Sequence, residues 1–312
     1  MKIVVIGTGG VGGYFGAKLA RAGNDVVFIA RGEHLKAIHD KGLTVKSILG
    51  DFHVDHPKAT DTISETGQAD LILIGVKAWQ IKEIRDELKT AIHSGSMILP
   101  LQNGVSAVEE LREAISNTNI LGGLCRIISK IESPGVINHF GINPTIVFGE
   151  TDNSEPERVQ QLKVLFDKAE INSQISKDID ADLWKKFISI CVSGLLAVTR
   201  TTYGQLRELS ETRQMMIDLL KEGYALSQKI GVAIEADYVD KSVSFIDSFP
   251  YSSTSSLTRD IWEGRPSEID YQNGTIVRLG KKYGVDTPVN QFVYHCILPM
   301  ELKARGLKTM SE

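Results

Sequence analysis

The first thirty-one residues, 1-MKIVVIGTGGVGGYFGAKLARAGNDVVFIAR-31, decide the fold. Residues 3–6 are a short apolar run suited to a strand buried on both faces. Gly7, Gly9 and Gly12 then spell GxGxxG at the strand's end, and Ala17, Leu19 and Ala20 continue as a helix. In that setting Gly7 permits a tight turn, Gly9 lets backbone approach a pyrophosphate, and Gly12 lets helix pack closely on strand. Gly7, Thr8, Gly9, Gly10, Val11 and Gly12 are therefore the expected cofactor-binding residues, with phosphates facing unpaired N–H groups at the helix start. A chain with 28 glycines can produce GxGxxG by chance, so an ordinary glycine turn is the alternative. The flanks favour a dinucleotide, because residues 25–30 (DVVFIA) supply the second strand of a βαβ unit at the usual distance.

The end of that second strand bears on which dinucleotide. An NAD site usually carries Asp or Glu there for the adenine ribose hydroxyls, whereas this chain has Ala30 and Arg31, with no acid until Glu33. A guanidinium suits a 2′-phosphate. One charged hydrogen bond is worth ~1.5–3 kcal/mol, which favours NADP over NAD by roughly ten- to a hundredfold. The competing reading of Arg31 is a solvated surface arginine.

A length of 312 residues suggests two domains with ample core. With 42% hydrophobic and 24% charged residues and a net charge of −4, the composition is that of an ordinary soluble protein. The absence of a long basic run argues against nucleic acid or an anionic membrane as partner, leaving small molecules. Cys125, Cys191 and Cys296 are widely spaced without a metal-like pattern, which points to a reducing compartment and to no metal site. Neither a signal peptide nor a membrane-length apolar run is recognised, so a cytoplasmic protein is expected. A homodimer is left open, since exposed apolar patches cannot be located without a fold.

Further along, residues 42–46 and 52–56 read as short strands or loop. Residues 71–75 (LILIG) are a buried parallel strand, and VKAWQ at 76–80 leaves it for a helix reaching about His93. Lys77 thus lies just past a strand's carboxyl end, the edge where doubly wound sheets bind ligands, and either touches cofactor or is solvated. Residues 97–101 (MILPL) bring Gln102, Asn103 and Gly104 to the same edge. The Asn103 amide offers donor and acceptor together, enough to hold a nicotinamide ribose and a carbonyl substrate; the alternative is an Asn-Gly turn. A helix at 107–114, strands at 120–129, 136–140 and 145–148, a helix at 155–168 and a strand at 171–175 complete a predicted mostly parallel sheet with helices on both faces. From Ile179 onward the periodicity is helical. The expected organisation is an α/β, doubly wound dinucleotide-binding domain over 1–176 and an all-α substrate and catalytic domain over 177–312.

In the second half, residues 182–200 (DLWKKFISICVSGLLAVTR) read as one helix, enclosed because thirteen residues without a charge separate Lys186 from Arg200. Lys186 stands at its polar mouth, where an ammonium reaching a cleft between the domains has a proton to give and charge for an anionic substrate. Spacing does not choose between Lys185 and Lys186, and a solvated lysine is the simpler reading of either. A second cluster is SSLTRDIWEGRPSEIDY at 255–271. There Ser256 opens a helix and Glu268 follows the break at 264–266. Taken alone, Ser256 reads as an N-cap and Glu268 as a first-turn acid complementing a helix dipole.

Taken together, GTGGVGG, Arg31, VKAWQ, QNG, the LWKK helix and SSLTRDIWEGRPSEID resemble the ketopantoate reductase (2-dehydropantoate 2-reductase) family, in order over nearly the whole chain. The resemblance implies a Rossmann domain followed by a helical domain, with NADPH and a 2-oxo acid meeting in the cleft. It implies that Lys186, two places after the tryptophan, is the proton donor. Asn103 would contact cofactor and substrate, Ser256 would bind substrate, Glu268 would sit at cofactor and active centre, and Lys77 and Arg31 would contact cofactor. The expected reaction is NADPH-dependent reduction of ketopantoate to pantoate in pantothenate biosynthesis.

One departure is visible. The family's asparagines four and eight residues after the catalytic lysine fall at Ile190 and Gly194, and a further one at about Tyr203. Eight helical residues rise about 12 Å and drift about 80° around the axis, so Ile190 and Gly194 are expected to share the Lys186 face and make a less polar wall. Losing an amide costs ~1–3 kcal/mol per contact, enough to shift substrate preference. Two rivals follow: a reductase of another branched or more apolar 2-oxo acid, and a sensor that binds NADPH without catalysis.

Overall fold

The apolar run after Met1 becomes β1 (Lys2–Ile6), and the glycine turn leads into α1 (Gly10–Arg21), β2 (Asp25–Ile29) and α2 (Gly32–Lys41) in the computed structural model, which describes residues 1–307. Next come β3 (Leu43–Ser47), β4 (Phe52–Val54), β5 (Lys58–Thr60), β6 (Leu71–Ile74), α3 (Ile81–Leu88), β7 (Met97–Pro100) and α4 (Ala107–Arg112). Five of these strands form one sheet in the order β5-β2-β1-β6-β7, every pair parallel. Alternation sends Ile3, Val5, Phe28, Leu71, Leu73 and Leu99 into the core on one face. It sends Val4, Ile6, Val27, Ile29, Ile72 and Ile74 into a separate core on the other. Phe15 and Leu19 of α1 cover the first face, and Ile81, Ile84 and Leu88 of α3 the second. Burial on both faces is why these strands are unbroken apolar runs rather than alternating ones.

Beyond α4 the chain departs from a single continued sheet. It makes β8 (Leu121–Arg126), β9 (Ser129–Ser133), β10 (Val136–His139), β11 (Thr145–Glu150), α5 (Glu157–Lys168) and β12 (Asn172–Ile175). These enter two further mixed sheets, β4-β3-β10-β9 and β12-β11-β8, with antiparallel β9–β10, β3–β4 and β8–β11 pairs. The reason is connection length. A parallel pair needs a crossover, whereas β9 and β10 are joined only by Pro134 and Gly135, with Gly135 at φ 79, and can only fold back. The helix expected to reach His93 ends earlier, at Leu88, between short 3₁₀ turns at Ala78–Gln80 and Lys89–Ala91.

The remainder is helical: α6 (Ile179–Ile190), α7 (Val192–Thr199), α8 (Tyr203–Glu208), α9 (Ser210–Ile230), α10 (Tyr238–Asp247), α11 (Ser256–Trp262), α12 (Asn273–Tyr283) and α13 (Pro288–Ala304). The chain divides into two compact units, Met1–Gln102 with Ser106–Asp180 and Asn103–Val105 with Ala181–Glu312. The second unit has its own core, including Trp184, Phe187, Leu195, Leu219, Ile276 and Val293. The helix expected over 182–200 is interrupted at Cys191, because the Asn273 side chain from α12 donates to the Cys191 carbonyl at 3.1 Å and intrudes on the helical ladder. No helix among the described residues is long and apolar enough to cross a membrane.

Candidate active site

The glycine turn has the shape of an anion cradle. Gly7 adopts φ 90, and a Cβ there would lie 2.6 Å from Val76 Cγ1; a Cβ on Gly12 would collide with the Gly7 carbonyl oxygen. Nothing lies within 4 Å of the space a Gly9 side chain would fill. Gly9 is the N-cap of α1 and supplies no side-chain cap, which leaves first-turn N–H groups beside that space and fits a pyrophosphate. The Thr8 hydroxyl donates to Ile29 O at 2.9 Å and ties the turn to the end of β2. His34 of α2 steadies the turn. Its Nε2 bonds Thr8 O at 2.8 Å, and its Nδ1 accepts from Gly135 N at 3.0 Å, which fixes the neutral Nε2-protonated tautomer. Burial lowers the pKa of that imidazole.

Arg31 is exposed at the start of α2, and no ion pair or hydrogen bond of its side chain occurs among the described residues. Lys77 follows β6, with its ammonium 6.0 Å from the centre of the Trp79 ring. Gln102 donates from Nε2 to Ile74 O and Val76 O, each at 3.0 Å, and so fastens the chain leaving β7 to the end of β6.

Directly after Gln102, Asn103 donates from Nδ2 to Glu268 Oε2 at 3.0 Å. The Asn-Gly turn expected as the alternative is present as well: Gly104 has φ 98, and a Cβ there would lie 2.9 Å from Tyr271 O. Glu268 is not a first-turn acid. It lies in the loop before α12, buried, with its carbonyl accepting from Tyr271 N at 3.0 Å and Gln272 N at 2.9 Å. Asn103 retains its second N–H and its oxygen for other partners.

The two lysines of the LWKK segment differ in surroundings. Lys185 pairs with Glu235 at 2.6 Å near the surface, while Lys186 is only 8% exposed. A solvated lysine is thus excluded for Lys186. Four residues on, Ile190 ends α6 partly exposed.

Gly194 lies on α7, beyond the break at Cys191. A Cβ there would lie 2.5 Å from Asn273 Oδ1 and 2.7 Å from Val293 Cγ1, so the residue is small to admit Asn273. Tyr203 is likewise a core residue, edge-on to Phe249 at 4.9 Å, and burial raises its pKa. Burial also pushes the Cys191 thiol up, which removes it as a nucleophile. Ser256 is not the N-cap of α11. Ser255 is, accepting from Thr258 N at 3.0 Å, and Ser256 is exposed with its hydroxyl unpartnered among the described residues.

Sequence reasoning missed His34 and Asn273, and it placed Gln102 at the strand edge without its bonds to Ile74 O and Val76 O. Nothing local marks them, since their partners lie 26 to 101, 26 to 28 and 17 to 82 positions away.

Two family models match this chain: "Ketopantoate reductase PanE/ApbA" over residues 3–153 and "Ketopantoate reductase PanE/ApbA C terminal" over 178–301. The chain is 32% identical over 295 residues to the "Uncharacterized oxidoreductase YkpB" of Bacillus subtilis, covering 94% of this chain and 97% of that one. It is 29% identical to the 2-dehydropantoate 2-reductase of Pyrococcus abyssi, covering 95% and 97%. The crystal structure of a PanE/ApbA family ketopantoate reductase from Ralstonia eutropha JMP134 superposes with a TM-score of 0.90 at 29% identity, covering 98% of this chain and 100% of that one.

Proposed function

The chain belongs to the ketopantoate reductase family, and from that premise we propose that it reduces ketopantoate to pantoate with NADPH, for pantothenate biosynthesis. As a member it is an oxidoreductase of the 2-oxo acid reductase type. The observation that carries the specific reading is the Asn103–Glu268 hydrogen bond at 3.0 Å, which joins an amide and a buried carboxylate far apart in sequence.

When bound, the reduced nicotinamide supplies the hydride that adds to the C2 carbonyl. The uncapped start of α1, from Gly7 through Thr8, Gly9, Gly10 and Val11 to Gly12, holds the pyrophosphate. Exposed Arg31 takes the 2′-phosphate, and Lys77 adds positive charge to the cofactor. Lys186 donates its proton to the alkoxide oxygen as that oxygen gains charge, and its ammonium stabilises the oxygen before transfer. Asn103 uses its remaining N–H and its oxygen to orient ribose and substrate, with Glu268 fixing the plane of the amide. Ser256 offers its hydroxyl to the substrate carboxylate. No three His, Cys, Asp or Glu side chains group as a metal site among the described residues.

A second reading keeps the chemistry and changes the substrate to a more apolar branched 2-oxo acid. It is favoured by Ile190, an aliphatic side chain partly exposed one helical turn from Lys186. The test is NADPH absorbance followed with ketopantoate, 2-oxoisovalerate and related acids. Ketopantoate is expected to turn over fastest; faster 2-oxoisovalerate selects the second reading, and no oxidation with any acid leaves a binding protein and overturns both.

A further inference from the structure

We propose that Glu301 is a positioning residue for Glu268, acting through Ser267. Ser267 is fully buried, and Glu301, near the end of α13, is only 4% exposed. Ser267 N donates to both Glu301 carboxylate oxygens, at 3.1 and 2.9 Å, and Ser267 Oγ donates to Oε2 at 2.6 Å. Arg305 completes the clamp, with Nε on Glu301 Oε1 at 2.6 Å and an Nη2 donating to Ser267 O at 3.0 Å. The amide, hydroxyl and carbonyl of one residue are therefore each held by a single ion pair.

Docking α13 alone does not require this, because apolar contacts would do so without desolvating a carboxylate. What the clamp uniquely fixes is the peptide unit that carries Glu268. On the other side of Glu268, its carbonyl is held by Tyr271 N and Gln272 N, and Ile269 N donates back to Ser267 Oγ at 3.3 Å. The Glu268 Cα is thereby pinned from both directions, and its side chain accepts from Asn103 Nδ2. A displacement of about 1 Å at such a group costs up to a hundredfold in rate. The inference rests on the role given to Glu268 above.

The test compares Glu301→Gln, Glu268→Gln and the double variant in the full-length protein, with folding followed by circular dichroism and thermal unfolding. Glu301→Gln is expected to fold and to lose about ten- to a hundredfold in kcat/KM for the 2-oxo acid. Glu301→Asp is expected to recover part of that loss. In the Glu268→Gln background, adding Glu301→Gln should change kcat/KM no further, because both act through one carboxylate. Losses that multiply in the double variant would reveal a merely structural role and overturn the proposal, as would a folded Glu301→Gln protein with unchanged kcat/KM. Should Glu301→Gln not fold, Ser267→Ala carries the same cycle with a severalfold loss expected. Unchanged kinetics in Glu268→Gln alone would refute the role of Glu268 itself, and the proposal with it.

Discussion

Asn103 Nδ2 meets Glu268 Oε2 at 3.0 Å across 165 positions of sequence. The bond aligns an amide that has hydrogen-bonding capacity to spare with a carboxylate whose backbone is held on both sides. Removing the amide leaves the buried Glu268 oxygen without that donor. Asn103→Ala is expected to cost ~1–3 kcal/mol of transition-state stabilisation, about five- to 150-fold in kcat/KM, in a protein that still folds. Steady-state kinetics with unfolding curves checks this.

The contrast between Lys185 and Lys186 gives a sharper test. Lys186→Ala is expected to lower kcat by about 10²–10⁴ with NADPH affinity little changed. Lys185→Ala breaks only a near-surface pair with Glu235 and should cost at most about 1 kcal/mol of stability, leaving turnover close to wild type. Equal turnover in the two variants would remove Lys186 from the proton-transfer step.

The proposed basis of cofactor choice is Arg31, whose side chain is exposed. Arg31→Ala should weaken NADPH binding by about ten- to a hundredfold while NADH binding stays where it was. Fluorescence titration with each nucleotide measures the ratio, and a ratio that does not move would assign the 2′-phosphate elsewhere.

His34 predicts a pH dependence of stability. Burial sets its folded pKa below the ordinary 6.5, so at intermediate pH the unfolded chain binds the extra proton. Its contribution is complete above 6.5 and is lost as pH falls below that toward the depressed folded value. Protonating Nδ1 would put two N–H groups face to face, one of them on Gly135. Melting temperatures taken between about pH 7.5 and 5.5 should therefore fall more steeply for wild type than for His34→Leu.

Two positions that a sequence comparison pairs together should respond differently. Gly194→Ala forces a methyl against Asn273, which is itself locked to Cys191 O and Asn290 Oδ1, and should destabilise by ~1–3 kcal/mol. Ile190→Asn lies at a partly exposed helix end and should fold normally while raising the preference for hydroxylated over aliphatic 2-oxo acids. Thermal unfolding and a substrate panel separate the two effects.

What the sequence determined by itself was whatever depends on near neighbours. The strand, glycine turn and helix at the N-terminus and the helical second half are all written in spacings of two to six residues, where backbone propensity and side-chain periodicity act. The family pattern of ordered motifs was legible for the same reason. The tertiary structure alone decided which lysine is enclosed, why Gly194 is small, where a helix breaks, and which carboxylate clamps Ser267. In these cases the deciding partner lies far along the chain: Glu235 pairs with Lys185, Asn273 bears on Cys191 and Gly194, and Glu301 holds Ser267. Close packing fixes such pairs only once the core has formed, because one side chain's space and hydrogen bonds are set by another that no local spacing reveals.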